Sequence, residues 1–203
     1  MNETEKLFLQ QVSEAIDQYD SEKLADAVSD FSSFCFKETA PVSEISLFSE
    51  EFIRELMKLI ASNRFLQMED SFKLLIMFQN DWGRLQPHQQ LELCQVLLVI
   101  YEKLKDPTSQ LVIVELFGEY LANDFSLQAL NDLSVSKDEV ARAYVAHGYK
   151  TLVLNAARHD LKNKAKARLI SMEKDPSNIV KEEVAAALRD ISRKDIDHSR
   201  SHR

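Results

Sequence analysis

Apolar residues recur along this chain at spacings of three and four, the period of one face of an α-helix. Residues 3–19 read as a first amphipathic helix carrying Leu7, Leu9, Val12, Ala15, Ile16 and Tyr19. Asp20 or Ser21 caps a second, with Leu24, Ala27, Val28, Phe31, Phe34 and Cys35 on its apolar side. Residues 37–48 are broken by Pro41 but hold Val42, Ile45 and Leu47, and read as a loop packed onto the body. Ser49 caps a third helix, whose first-turn Glu50 and Glu51 suit the helix dipole and whose stripe is Phe52, Ile53, Leu56, Leu59 and Ile60. A fourth runs from about Met68 to Asp81 and ends at Trp82-Gly83.

Pro87 opens a fifth helix, through Leu104, that is apolar nearly all round and is therefore expected to be buried, with Leu93, Leu97 and Ile100 in the core. Asp106-Pro107 opens a sixth, through Leu121, and Asp124 or Ser126 starts a short seventh. Ser136-Lys137-Asp138-Glu139 has the form of a capping box for an eighth, ending near Ala157. Residues 160–173 make a ninth. In the last, Asp175 caps, Pro176 takes the first helical position, and Val180, Val184, Ala187, Leu188 and Ile191 form a stripe. Residues from Arg193 on are polar and read as a frayed tail. The pattern predicts an all-α fold of about ten helices without a sheet.

The stretch Asp175-Pro176, Val180, Val184 and Ala185-Ala186-Ala187-Leu188 resembles the second helix of a HEAT repeat. Asp106-Pro107-Thr108-Ser109 and Asp175-Pro176-Ser177-Asn178 stand 69 residues apart with Ser136 between them, which allows units of 30 and 39 residues. HEAT-type periods are about 40. The resemblance implies a HEAT/armadillo-like stack of antiparallel helices over residues 1–193. Within it, 1–86 form a divergent acidic half, 87–193 a HEAT-like half, and 194–203 a flexible polar tail.

Composition supports helices, since the chain has only 3 Gly and 4 Pro. Its two cysteines, Cys35 and Cys94, sit in apolar helical runs and read as buried free thiols. No basic-then-apolar leader opens the chain and no apolar run reaches the length of a membrane helix, so a cytoplasmic protein is expected. Charge is uneven. Residues 1–70 carry 15 acids against 6 bases, whereas residues 136–203 carry 10 acids against 15 bases. An acidic N-terminal half disfavours phosphate ligands there and favours a basic partner.

Candidate chemistry is sparse. Of the five histidines, His88, His147, His159, His198 and His202, only His198 and His202 stand four residues apart, and they lie in the polar tail; there is no Gly-rich phosphate loop and no Gly-x-Ser-x-Gly. The expectation is a protein with no catalytic residues, no metal and no cofactor. The basic run Arg158, Lys162, Lys164, Lys166, Arg168 reads as a solvated face or a nucleic-acid contact. Acidic positions Glu14, Asp17, Asp20, Glu22, Asp26 and Asp30 flank the first inter-helix turn, and Glu50, Glu51 and Glu55 follow one hairpin later. They read as ordinary solubility or as a face for a basic protein. Trp82, beside Asp81, fits the core and also fits an interface anchor.

A small, acidic, HEAT-like helical chain is similar to bacterial immunity proteins of polymorphic and contact-dependent inhibition toxin systems. That similarity implies a non-catalytic module that binds and neutralises a basic, nuclease-type toxin through Glu14, Asp17, Asp20, Glu22, Asp26, Glu51, Glu55, Asp81 and Trp82. The alternatives are a HEAT-like adaptor for another protein, and a HEAT-like DNA-binding or glycosylase-type protein.

Overall fold

The computed structural model describes the backbone of residues 1–37 and 47–201, and the side chains of these except 34–37 and 195–201. Among the described residues there are eleven α-helices and no strand: α1 (Glu3–Gln18), α2 (Ser21–Lys37), α3 (Glu50–Ile60), α4 (Asn63–Leu66), α5 (Phe72–Asn80), α6 (Pro87–Ile100), α7 (Pro107–Glu115), α8 (Asp124–Leu133), α9 (Glu139–Asn155), α10 (His159–Ser171) and α11 (Asn178–Ser201). The fold is all-α. The chain packs as two units, Met1–Val112 and Ile113–Arg203.

The first unit is organised by carboxylates that tie helix starts together. Asn2 and Glu5 form a capping box at α1, with the Glu5 amide donating to Asn2 Oδ1 and the Asn2 amide to Glu5 Oε2, each at 2.8 Å. Glu5, only 4% exposed, also accepts from the amide and the hydroxyl of Ser49, each at 2.9 Å. Ser49 in turn caps α3, as its place in the sequence predicts. One buried carboxylate thus fixes α1 and α3 to each other. Phe8, Phe31, Phe48 and Phe52 pack beside it, the Phe8 and Phe31 rings stacking at 4.2 Å.

Several expected elements differ, each for a local reason. The stripe of α1 is Phe8, Leu9, Val12, Ala15 and Ile16; Leu7 and Tyr19 are exposed at 56% and 55%. At about 100° per residue Phe8, Leu9, Val12, Ala15 and Ile16 share one arc of the helix, and Leu7 falls well outside it. The helix expected from Met68 starts instead at Phe72, because Asp70 is left-handed at φ 56°. The Phe72 amide donates to Asp106 Oδ2 at 3.1 Å. Leu93, Leu97 and Ile100 are buried as expected, but α6 is not enclosed all round, with Val99 66% exposed. Cys94 is buried, and burial pushes its thiol pKa up. The side chain of Cys35 and most of the expected 37–48 loop lie outside the described residues.

In the second unit α9 is the hub, packed by α8, α10, α11 and a π-helical turn, Leu116–Leu121, that continues α7. Its cap is Asp138, whose carboxylate accepts from the Val140 amide at 2.9 Å; Ser136 does not close the expected box. α11 buries Val180, Val184, Ala187 and Ile191 to 1% exposure or less. It begins at Asn178 rather than Pro176 and continues through Ser201. Asp175 has other work. It accepts a two-pronged bond from Arg142, at 2.8 and 3.0 Å, and takes the Ser177 amide at 2.9 Å.

Asp106 does the equivalent in the first unit. It accepts from the Thr108 amide two residues on, and reaches back 34 residues to Phe72, where Asp175 reaches back 33 to Arg142. The recurrence of Asp-Pro therefore reflects one device used twice: a short turn capped locally and pinned to an earlier helix.

Candidate partner-binding surface

The turn between α1 and α2 is built from three consecutive choices. Tyr19 takes a left-handed backbone, φ 53°, and its amide bonds the Ile16 carbonyl, while the Asp20 amide bonds the Ala15 carbonyl at 2.9 Å. This is the bonding of a helix C-terminus that normally uses Gly. A non-Gly residue here costs about 1–2 kcal/mol. Asp20 then caps α2, accepting from the amides of Glu22 and Lys23 at 3.1 and 3.0 Å. The outcome is a half-exposed tyrosine ring projecting from a ring of acids.

The acids divide into those with internal tasks and those without. Asp17 holds Arg64 through its carboxylate at 2.6 Å and its carbonyl at 3.1 Å. Asp20 is the α2 cap. Glu14 accepts from Gln10 at 2.9 Å. Glu51 lies 3.6 Å from the amino terminus, Glu55 is 2.7 Å from Lys58, and Glu50 is 2.9 Å from His88. Glu22, Asp26 and Asp30 differ. All are exposed, they stand four residues apart on one face of α2, and among the described residues no basic side chain comes within ion-pair distance of them. Like charges at this spacing destabilise a helix by about 0.2–0.5 kcal/mol per pair.

Asp81 is buried and bonded to Arg84 at 3.0 Å, and burial raises its pKa despite that cation. Its place is structural, at the end of α5. Trp82 is half-buried, and its carbonyl accepts from Gln90 at 3.2 Å.

Beside the carboxylate row lies a groove of about 350 Å3 between α1 and α2. Leu7, Phe8 and Phe31 give it an apolar floor, and Glu3 and Asp30 stand at its rim. Glu3 is bonded to Lys6 at 2.8 Å, which lowers its pKa, so it is anionic at neutral pH. An apolar floor with carboxylates at its edge suits a side chain with an aliphatic stem and a cationic head, that is, Lys or Arg. Sequence reasoning assigned Leu7 to the core. The signal in the sequence is the arc of Phe8, Leu9, Val12, Ala15 and Ile16, which leaves Leu7 on the far side of the helix.

The second unit holds a half-buried imidazole between two acids. His147 Nε2 is 3.2 Å from Glu115 and Nδ1 is 3.6 Å from Glu183. Hydrogen bonding to Glu115, then to Glu183, raises the His147 pKa, and His147 lowers that of Glu183. This cluster joins α7, α9 and α11. Among the described residues no helix is long and apolar enough to cross a membrane, and no group of three His, Cys, Asp or Glu is placed to hold a metal ion. No protein-family model, no curated protein and no solved structure matches the chain.

Proposed function

We propose that this chain is a protein-binding module whose first two helices dock onto a basic protein. The observation that carries this reading is the combination on α1 and α2: an acidic row that no basic side chain meets among the described residues, Glu22, Asp26 and Asp30, runs into an apolar groove with a carboxylate rim. The row costs helix stability and no described contact within the chain recovers it. Tyr19, held in a left-handed turn at the other end of the row, supplies an aromatic anchor of the kind that dominates interface energetics.

A nuclease-type toxin is the partner class that the charge fits. A cleft built to hold phosphates presents positive potential, and this surface presents the complement. Opposed potentials raise association rates to about 10⁸–10⁹ per molar per second at low salt. Covering such a cleft neutralises the enzyme without any catalytic group on the inhibitor, the mode of action of immunity proteins.

The test compares the wild type with Asp26→Lys/Asp30→Lys. The proposal expects a basic protein to be retained from cell extract by the wild type and lost with the double variant, the purified pair associating at least tenfold more slowly. Equal retention and equal association rates would overturn it. Asp17 and Asp20 are unsuitable probes, because one anchors Arg64 and the other caps α2.

A further inference from the structure

The groove between α1 and α2 combines an apolar bed with a carboxylate that no described base meets. Phe8 and Phe31 lie buried at its base, their rings stacked at 4.2 Å. Leu7 forms the open wall and is 56% exposed, so whatever enters the groove covers a large apolar side chain. Glu3 and Asp30 stand at the rim. Glu3 is occupied by Lys6 at 2.8 Å, whereas no basic side chain among the described residues is within ion-pair distance of Asp30. Thr4 and Gln11 complete the lining without charge. Asp30 is therefore the charge that an incoming group meets.

We infer that this groove seats one arginine side chain, its methylene stem on Leu7, Phe8 and Phe31 and its guanidinium at Asp30. On the docking reading of α1 and α2, on which this rests, that arginine belongs to the basic partner. Three features select it. The volume of about 350 Å3 is at the small end of the range for ligand sites, about 300–1,000 Å3. That fits one long side chain rather than a whole helix, about 10–12 Å across. The bed is apolar, and a guanidinium is more weakly hydrated than an ammonium, so arginine leaves water for it more readily than lysine does. An uncharged side chain of the same shape covers Leu7 equally well but gains no charge-assisted bond from Asp30. Truncating Asp30 and truncating Leu7 therefore remove separate halves of the same seat.

The experiment titrates the full chain with small probes and follows the backbone amides by NMR. The probes are the acetyl methylamides of arginine, lysine and citrulline, and guanidinium chloride at the same millimolar concentrations. Citrulline has the arginine shape without its charge, and guanidinium has the head without the stem. Saturable shifts confined to residues 3–11 and 30–31 are expected with the arginine probe. The other three should each bind about fivefold more weakly or worse. Asp30→Asn and Leu7→Ser should each weaken the arginine probe about fivefold. Glu22→Gln, two turns away on the same row, should leave it unchanged; the amide spectrum itself reports that each variant is folded. Four results would each overturn the inference: no saturable shift with the arginine probe; lysine or citrulline binding as tightly as arginine; no loss in Leu7→Ser; or equal loss in Glu22→Gln. Each of these concerns the groove alone. The docking reading is decided by association of the basic protein with Asp26→Lys/Asp30→Lys, and it survives a silent groove if that association still slows.

Discussion

At the scale of single residues, a few carboxylates satisfy several donors at once. Glu5 is the clearest, accepting from Asn2 and twice from Ser49. Glu5→Ala leaves these donors without a partner in a place only 4% exposed, and should cost about 2–4 kcal/mol in chemical denaturation. Glu5→Gln keeps one acceptor oxygen and should cost less; equal losses would show that the side chain acts through packing alone. His147 makes a pH-dependent contribution. Its folded pKa is raised above the ordinary 6.5, so the stabilisation is complete below that value and is lost as pH rises through the folded pKa. Glu183 is lowered from 4.5, so its share is complete above 4.5 and is lost as pH falls through its folded pKa. Together they stabilise most between those two ordinary values. Lys150 faces the same cluster and opposes protonation of His147, while Asp190 raises Glu183; neither reverses the direction. His147→Gln should lower the melting temperature at pH 6 and have a smaller effect at pH 8.5. A constant difference across that range would remove the cluster as the source.

At the scale of elements, glycine placement decides where helices can cross. A Cβ on Gly118 would stand 2.0 Å from Thr151 Oγ1 and 2.4 Å from the Gly148 carbonyl oxygen, and one on Gly148 would stand 2.6 Å from Leu130 Cδ2. Helix propensity alone favours Ala over Gly by about 1 kcal/mol. Packing reverses the sign. Gly118→Ala meets backbone within 2.4 Å and should destabilise by about 3 kcal/mol or more, whereas Gly148→Ala meets first the movable end of Leu130, with Val114 Cβ at 3.0 Å and its carbonyl oxygen at 3.3 Å, and should cost less, about 1–3 kcal/mol. Thermal unfolding of the two variants checks the order. The surface of α2 gives the opposite kind of prediction. Asp26→Lys replaces two like-charge neighbours with opposite ones and should stabilise the free protein by about 0.5–1 kcal/mol while weakening the proposed complex. A substitution that weakens both would point to an internal role for Asp26.

At the scale of the whole molecule, the formal charge of −8 hides opposite halves. Among the described residues, the acidic excess over residues 1–70 resolves into acids with local partners and a residual row on α2. The basic excess near the C-terminus includes ion pairs of Arg158 and Lys164 with Asp160 and a cleft lined by Lys162, Lys166 and Lys194. Charge totals therefore name the sign of each half but not the sites. Salt should weaken the proposed complex with a basic partner. Raising ionic strength from 50 to 500 mM should slow association of the basic partner about tenfold or more, because steering falls steeply with screening. A salt-insensitive association rate would argue that the groove, and not the carboxylate row, dominates.

The helical period, the caps at Ser49 and Asp20, the proline start at Pro87 and the buried stripe of α11 were all legible in the sequence, because each depends on residues within one or two turns of each other. So was the burial of Leu93, Leu97 and Ile100. Neighbours distant in sequence decided the rest. That Phe8 stacks on Phe31 depends on α2 lying across from α1. Asp175 and Asp106 look like caps in the sequence and each does take an amide two residues on, but they are pins as well, because Arg142 and Phe72 arrive from more than thirty residues earlier. Arg158, part of a basic run in the sequence, is met by Asp124 from another helix. Periodicity states that a face is apolar or charged, but only the fold supplies the atoms that meet it.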